Sequence, residues 1–231
     1  GVYLTDRTTV EKAEKMKVGT CLNPLHTALA VYGCLLGYTS IAAEMGDADL
    51  KALVEHIAAE SLPVVEDPGI LSPRAFIDEV LHERFPNPAI PDTPQRIAAD
   101  TSQKLPVRYG GTLRRYARQS EQALAGLEFA PLVFAGWCRY LLGVDDRGNA
   151  MPVSPDPMLP QLQAHLKGIE VGRPDSLAGQ LRPILSNAAL FGVDLYAAGL
   201  GERTEEMFRD MLAGPGAVRA TLHRNCACKQ P

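Results

Sequence analysis

The stretch NPLHTALAVYGCLLGY, Asn23 to Tyr38, limits what this chain can become more than any other. Wound at 3.6 residues per turn, it puts Leu25, Leu29, Tyr32 and Leu36 on one face. Ala28, Ala30 and Val31 make the other side apolar as well. A helix that is apolar all round is stable only when other elements cover every side of it. The rest of the chain must therefore wrap around this segment. Pro24 suits the first turn of such a helix, with Asn23 as its expected N-cap.

The wrapping is also helical by pattern, because no segment alternates apolar and polar residues long enough to predict a sheet. Thr8 and Glu11 stand at capping-box spacing, which predicts a first helix running to about Lys17 and ending at Gly19. Leu50, Leu53, Val54 and Ile57 mark a helix from Asp47 to about Ala59. Ser72-Pro73 opens another, with Phe76, Val80 and Leu81 inward, and the proline-rich FPNPAIPDTP, Phe85 to Pro94, predicts a rigid loop. Thr93-Pro94 begins a helix expected to run through Gln103 and to stop before Pro106. Gly110-Gly111 separates it from one starting near Thr112. Leu127 to Leu142 reads as a second buried helix, holding the single tryptophan, Trp137. After a turn-rich segment from Asp145 to Pro157, helices are expected at Met158–Lys167, Ser176–Phe191, Glu202–Ala213 and Ala217–Arg224. No repeat or linker divides the chain, so the reading is one all-α domain over residues 1–231.

Composition excludes several functions. With 46% apolar residues in 231, one large core can be filled. A net charge of −4 argues against general attraction to nucleic acid or to an anionic membrane. No stretch approaches the roughly 20 uninterrupted apolar residues of a membrane helix. The start, GVYLTDRTT, lacks the charged and apolar regions of a signal peptide. Cys21 and Cys34 lie in apolar surroundings and read as core residues. Cys226-Ala-Cys228 has no second Cys/His pair at ligand spacing and reads as a tail rather than a metal site. The five histidines are isolated, with no HExxH spacing. Gly199-Leu200-Gly201 lacks the preceding strand a dinucleotide site requires. A cytoplasmic protein with reduced thiols is the expectation.

What needs explaining is why so apolar a helix opens with Lys17, Asn23 and His26. In the first turn of a helix, His26 sits near the positive end of the dipole, which disfavours its protonation. A neutral imidazole and an asparagine amide can both donate to a carbonyl or developing alkoxide oxygen. Lys17, from the preceding helix, could serve as general base for an alcohol if desolvation lowered its pKa. Structure alone also accounts for all three: Asn23 as a plain cap, His26 as a buried histidine, Lys17 complementing a helix end. In RIAADTSQKLP, Arg96 to Pro106, the residues Arg96, Asp100 and Gln103 share one helical stripe and Lys104 lies about 80° round from Arg96. The stripe is either a solvated Arg96–Asp100 pair or a cationic rim that orients an oxygen-rich substrate.

The two stretches MKVGTCLNPLHTALAVYGCLLGY and PQRIAADTSQKLPVR together resemble the helical C-terminal domain of the mannitol dehydrogenase family, the polyol-specific long-chain dehydrogenases that include mannitol, fructuronate and tagaturonate reductases. The similarity runs from about Thr8 and is most specific around Asn23-x-x-His26-Thr-Ala and Arg-Ile-Ala-x-Asp-x-Ser-x-Lys. It implies a multi-helical fold like the C-terminal domain of 6-phosphogluconate dehydrogenase. It also implies a two-domain enzyme in which an N-terminal Rossmann domain binds NAD or NADP and this part supplies catalytic groups. The implied chemistry is metal-independent hydride transfer at C2 of a polyol or sugar acid, of the mannitol/fructose or mannonate/fructuronate type. By position, Lys17 matches the general base, Asn23 and His26 the residues that polarise the reacting oxygen, and Arg96 and Lys104 the substrate-orienting cations. The family spacing is Lys-x4-Asn-x2-His, whereas Lys17 stands six before Asn23, so the Gly19 turn is expected to absorb one extra residue. The nucleotide-binding half has no counterpart before Thr8, and the chain reads as a fragment. The competing expectation is a non-catalytic helical interaction or oligomerisation module, which would give these five residues no reason to converge.

Overall fold

The computed structural model describes residues 4–227, and every described element is helical apart from two isolated β-bridges. Helix α1 (Arg7–Glu14) runs into a π-helical segment (Lys15–Leu22), which runs into α2 (Asn23–Leu36). Then come α3 (Ile41–Glu44), α4 (Ala48–Ser61), α5 (Pro73–Glu79) with a second π-helical turn (Val80–Arg84), α6 (Pro94–Ile97), α7 (Thr101–Arg108), α8 (Gly110–Gln119) and α9 (Glu121–Ala125). The remainder is α10 (Phe129–Tyr140), α11 (Leu159–His165), α12 (Arg182–Leu185), α13 (Ala188–Phe191), α14 (Gly201–Met211) and α15 (Ala217–Cys226).

Two helices form the centre. Helix α2 is buried from Pro24 to Leu35 except at His26, as its all-round apolarity requires. All of α10 is buried, and it packs against α2, α4 and α14. The two central helices approach closely because Gly136 has no side chain: a Cβ there would stand 2.7 Å from the Tyr32 ring. Tyr32 in turn donates its hydroxyl proton to the Leu132 carbonyl at 2.8 Å. The amides of Glu128, Phe129 and Ala130, at the start of α10, donate to the Glu60 carboxylate at 2.6, 2.9 and 3.1 Å. A side chain from α4 thus satisfies donors that α10 cannot satisfy itself. Cys21 and Cys34 are buried as expected. Cys226 is buried at the end of α15, and Cys228 lies outside the described residues.

The expected helices begin where their caps predict at Asp47 and Ser72. Elsewhere the structure corrects the reading. Asp6, not Thr8, caps α1 and accepts the Thr9 amide. The chain does not break at Gly19, which keeps an ordinary φ; the helical path continues through the π segment. Asn23 is consequently not an N-cap: it has helical φ −70° and ψ −32°, and Leu22 before it makes no side-chain cap. The helix expected over Thr93–Gln103 is two helices. Asp100, at φ +53°, separates α6 from α7, and the second carries Pro106 in its interior. Burial of Leu105 and Tyr109 on either side keeps the chain helical through that proline. The expected helix Ser176–Phe191 is three short pieces, broken by Gly179 at φ +93° and by Asn187, which caps α13.

Candidate active site

Asn23 and His26 open α2, and Asp92 joins His26 to Arg96. The proline-rich loop returns to α2 just before α6, and its Asp92 carboxylate sits 3.3 Å from His26 Nε2. The other oxygen of that carboxylate holds the Arg96 guanidinium. His26 and Arg96, far apart in sequence, therefore share one carboxylate. This also explains why the predicted Arg96–Asp100 pair does not form: Asp100 is the break between α6 and α7, so the two are not one turn apart on a single helix.

His26 is held neutral. Burial dominates, pushing its pKa down to about 4, with Arg108, Arg84 and Arg96 adding to the shift and Asp92 opposing it. The 3.3 Å approach to Asp92 is within ion-pair reach but is not aligned as a hydrogen bond, so buried Nε2 keeps its hydrogen-bonding capacity unspent. The ring also packs against Phe85 at 5.2 Å between centroids. Asn23, partly buried three residues earlier, makes no side-chain hydrogen bond to a described residue, and its backbone carbonyl accepts from Thr27 Oγ1 at 2.9 Å. Two neutral groups that can donate a hydrogen bond thus open the same helix.

Helix α7 lies against this helix start. Tyr109, just past its end, donates its hydroxyl proton to the Pro24 carbonyl at 2.7 Å, and Arg108 Nη1 donates to Thr27 Oγ1 at 2.6 Å. Lys104, one turn earlier, turns its ammonium to the carbonyls of Ile97, at 3.0 Å, and Ala99, at the end of α6. Its pKa is lowered, first by burial and then by the Arg108 charge, with Arg96 also contributing. Arg96, Lys104 and Arg108 thus stand within electrostatic range of one another. Lys17 is placed differently: in the π segment, with Nζ over the Phe76 ring, 5.3 Å from its centroid. No hydrogen bond or ion pair joins it to the other four among the described residues.

The π segment bears directly on the Lys17–Asn23 spacing. Bonding from i to i+5 takes one more residue per turn than bonding from i to i+4. The Thr20 hydroxyl reaches the Lys15 carbonyl, five residues back, at 3.5 Å. Lys17 and Asn23 are thus separated by a π-helical path rather than by a turn at Gly19.

Asp92 and Arg108 were missed in the sequence. Asp92 gave no signal, because its partner is reached only through the fold of the loop. Arg108 did give one: it follows Lys104 by four residues, on the same face of α7. Beside the site lies an open cavity of about 700 Å³, whose lining includes Val18, Gly19, Val107, Arg114 and Arg118 but not Asn23, His26 or Arg96. Val18 and Val107 on it are 47% and 63% exposed, unusually open for apolar side chains. Among the described residues, no group of three or more His, Cys, Asp or Glu could hold a metal ion, and no helix is long and apolar enough to cross a membrane.

Comparison with known proteins bears on this geometry. The family model described as the mannitol dehydrogenase C-terminal domain matches residues 9–206. A D-mannonate oxidoreductase of Thermotoga maritima is 57% identical over 221 residues, covering 96% of this chain and 41% of that protein. A mannitol 2-dehydrogenase of Emericella nidulans is 36% identical over 82% of this chain and 35% of its own length. Among solved structures, Pseudomonas fluorescens mannitol 2-dehydrogenase in ternary complex with NAD and D-mannitol superposes with a TM-score of 0.80. It is 28% identical, and the match covers all of this chain and 43% of that one. The chain spans well under half the length of the relatives it matches.

Proposed function

The chain belongs to the mannitol dehydrogenase family, whose C-terminal domain it matches, and we propose from this premise that it is the substrate-binding, catalytic part of an NAD(P)-dependent oxidoreductase acting at C2 of a sugar acid of the mannonate/fructuronate type. The observation that carries the proposal is the placement of Asn23 and His26 at the start of α2, with His26 and Arg96 on one carboxylate. The 57% identity to a D-mannonate oxidoreductase and the excess of cations at the site favour an acid over a neutral polyol.

We assign the nucleotide to a domain in the part of the parent protein that this chain does not span, because the Pseudomonas fluorescens relative is in complex with NAD and the match covers 43% of it. That domain would pack on the face bearing exposed Val18 and Val107. When bound, the nicotinamide would supply or accept the hydride. The residues of this chain do the rest. Asn23 and neutral His26 donate to the C2 oxygen and stabilise the negative charge that develops on it. Lys17 gives up or takes the proton of that oxygen. Arg96, fixed by Asp92, and Lys104 orient the substrate.

The test is NADH oxidation by the full-length parent with fructuronate, tagaturonate and fructose. Lys17→Ala is expected to lower turnover on the order of 10²–10⁴-fold. Near-full turnover of this variant with every accepted substrate would remove Lys17 from the mechanism.

A further inference from the structure

Several arginines of this protein are paired with carboxylates. Arg96 meets Asp92, Arg115 meets Glu66, Arg219 meets Asp47 and Asp49, and Arg224 meets Asp210. Arg139, fully buried, is satisfied by three main-chain carbonyls. Arg108 is held in neither way. It is partly buried, it spends one donor on the Thr27 hydroxyl, and no carboxylate among the described residues comes within ion-pair distance of it. A guanidinium has five N–H donors in a planar fork that matches a carboxylate. Withdrawing such a group from water with most of its donors unspent is unfavourable, unless an anion completes it.

Its position identifies the anion. Arg108 is anchored to Thr27, the residue after His26, and Thr27 is itself bonded to the Asn23 carbonyl. Tyr109 next to it is pinned to Pro24. The guanidinium is thereby tied to the same helix start that carries the proposed oxygen-polarising pair. The Arg108 charge also acts on His26, so an anion held at this helix start falls within its reach.

We propose that Arg108 binds the terminal carboxylate of the substrate and sets the preference of this protein for sugar acids over neutral ketoses. The inference rests on the reading of the chain as a sugar-acid oxidoreductase domain and adds a specificity residue to it. Arg96 and Lys104 are already engaged, with Asp92 and with the end of α6, which leaves Arg108, bonded only to the Thr27 hydroxyl, as the partly buried guanidinium at this site with no carboxylate partner among the described residues.

The experiment compares fructuronate with fructose, which share the ketone and differ at the terminal carbon, in the full-length parent and its Arg108→Met variant. The expected result is a KM for fructuronate raised on the order of 10²-fold, with a far smaller change for fructose and little change in kcat for either. Equal losses on both substrates, or no loss on either, would overturn the assignment. If Arg108→Met does not fold, Arg108→Lys, which keeps the charge but not the fork, carries the same comparison: a loss confined to the acid supports the proposal and an equal loss overturns it. A wild-type parent that reduces neither compound would instead sink the functional reading itself.

Discussion

Burial lowers the pKa of both Arg139 and Arg108, and the two are held in opposite ways. Arg139, in α10, is 0% exposed. It donates to the carbonyls of Met211, Val144 and Asp145 at 3.3, 2.6 and 3.2 Å. It ties the turn after α10 to the end of α14, and its cost of burial is offset by a carbonyl partner on each of its three nitrogens. Arg108, at the end of α7, has one hydroxyl partner and no carboxylate. A satisfied buried cation specifies packing, whereas an unsatisfied one weakens the fold and is retained for something the fold does not contain. The contrast separates the part of the molecule that holds its shape from the part left open for a ligand.

The largest expected effect tests that contrast directly. Arg139→Met leaves three carbonyls without a donor and should destabilise the chain by roughly 3–5 kcal/mol, lowering Tm on the order of 10 °C. Arg108→Met removes an unpaired, partly desolvated charge and should leave Tm unchanged or raise it. Thermal unfolding of the two variants, followed by circular dichroism, decides. A matching loss in both would show Arg108 to be an ordinary structural residue and end the comparison.

A buried carboxyl near α2 offers a second, smaller test. Glu44, 0% exposed at the end of α3, has no hydrogen-bond partner on either oxygen and leaves no room for a side chain at Gly33. Burial first, and the Asp47 charge second, push its pKa up to about 9. The unfolded chain ionises near the ordinary value of 4.5, so its contribution is intact below that pH. It is lost steadily as pH rises towards 9, by a few kcal/mol at most. His26 acts on the other flank. Its folded pKa of about 4 lies below the ordinary 6.5, so stability falls as pH drops through that window. Glu44→Gln should flatten the alkaline side of a Tm–pH curve and leave the acid side as it was. An unchanged alkaline slope would mean that Glu44 finds a partner in solution, and that unsatisfied polar groups are not a feature of this end of the molecule.

How much of this could be read from the residues follows the range of the interactions. The central helices α2 and α10 were legible, because apolarity on every side is written in the local sequence. So were the starts of α4 and α5, where Asp47 and Ser72 cap from their own positions. Lys17, Asn23, His26, Arg96 and Lys104 were candidates from the residues, and the structure joins two of them, His26 and Arg96, through Asp92. The π segments were not legible: nothing in KMKVGTCL announces bonding to the fifth residue rather than the fourth. Nor was the division of the Arg96–Lys104 helix. Asp100 at φ +53° puts a non-glycine residue in a left-handed conformation, and its amide is taken by the Pro155 carbonyl at 2.9 Å, a contact supplied by a distant loop. Such contacts reside in the tertiary structure and leave no periodic trace.

Asp92 provides the finest test, since it stands between the two kinds of region. It is a satisfied carboxylate on the Arg96 side and an unaligned neighbour of His26 on the other. Arg96 is 63% exposed at its side chain, so breaking that pair with Asp92→Asn should change unfolding stability by no more than about 1 kcal/mol. The electrostatic consequence for His26 is more specific. Among the influences on its imidazole, Asp92 alone favours the protonated form, against burial and three arginines. The variant should therefore keep His26 neutral to a lower pH than the wild type does, seen as a later onset of its ring-proton shift in an NMR titration of the folded chain. If the onset moved upward instead, Asp92 would be acting by shaping the pocket rather than by its charge, and the neutrality of His26 would depend on burial alone.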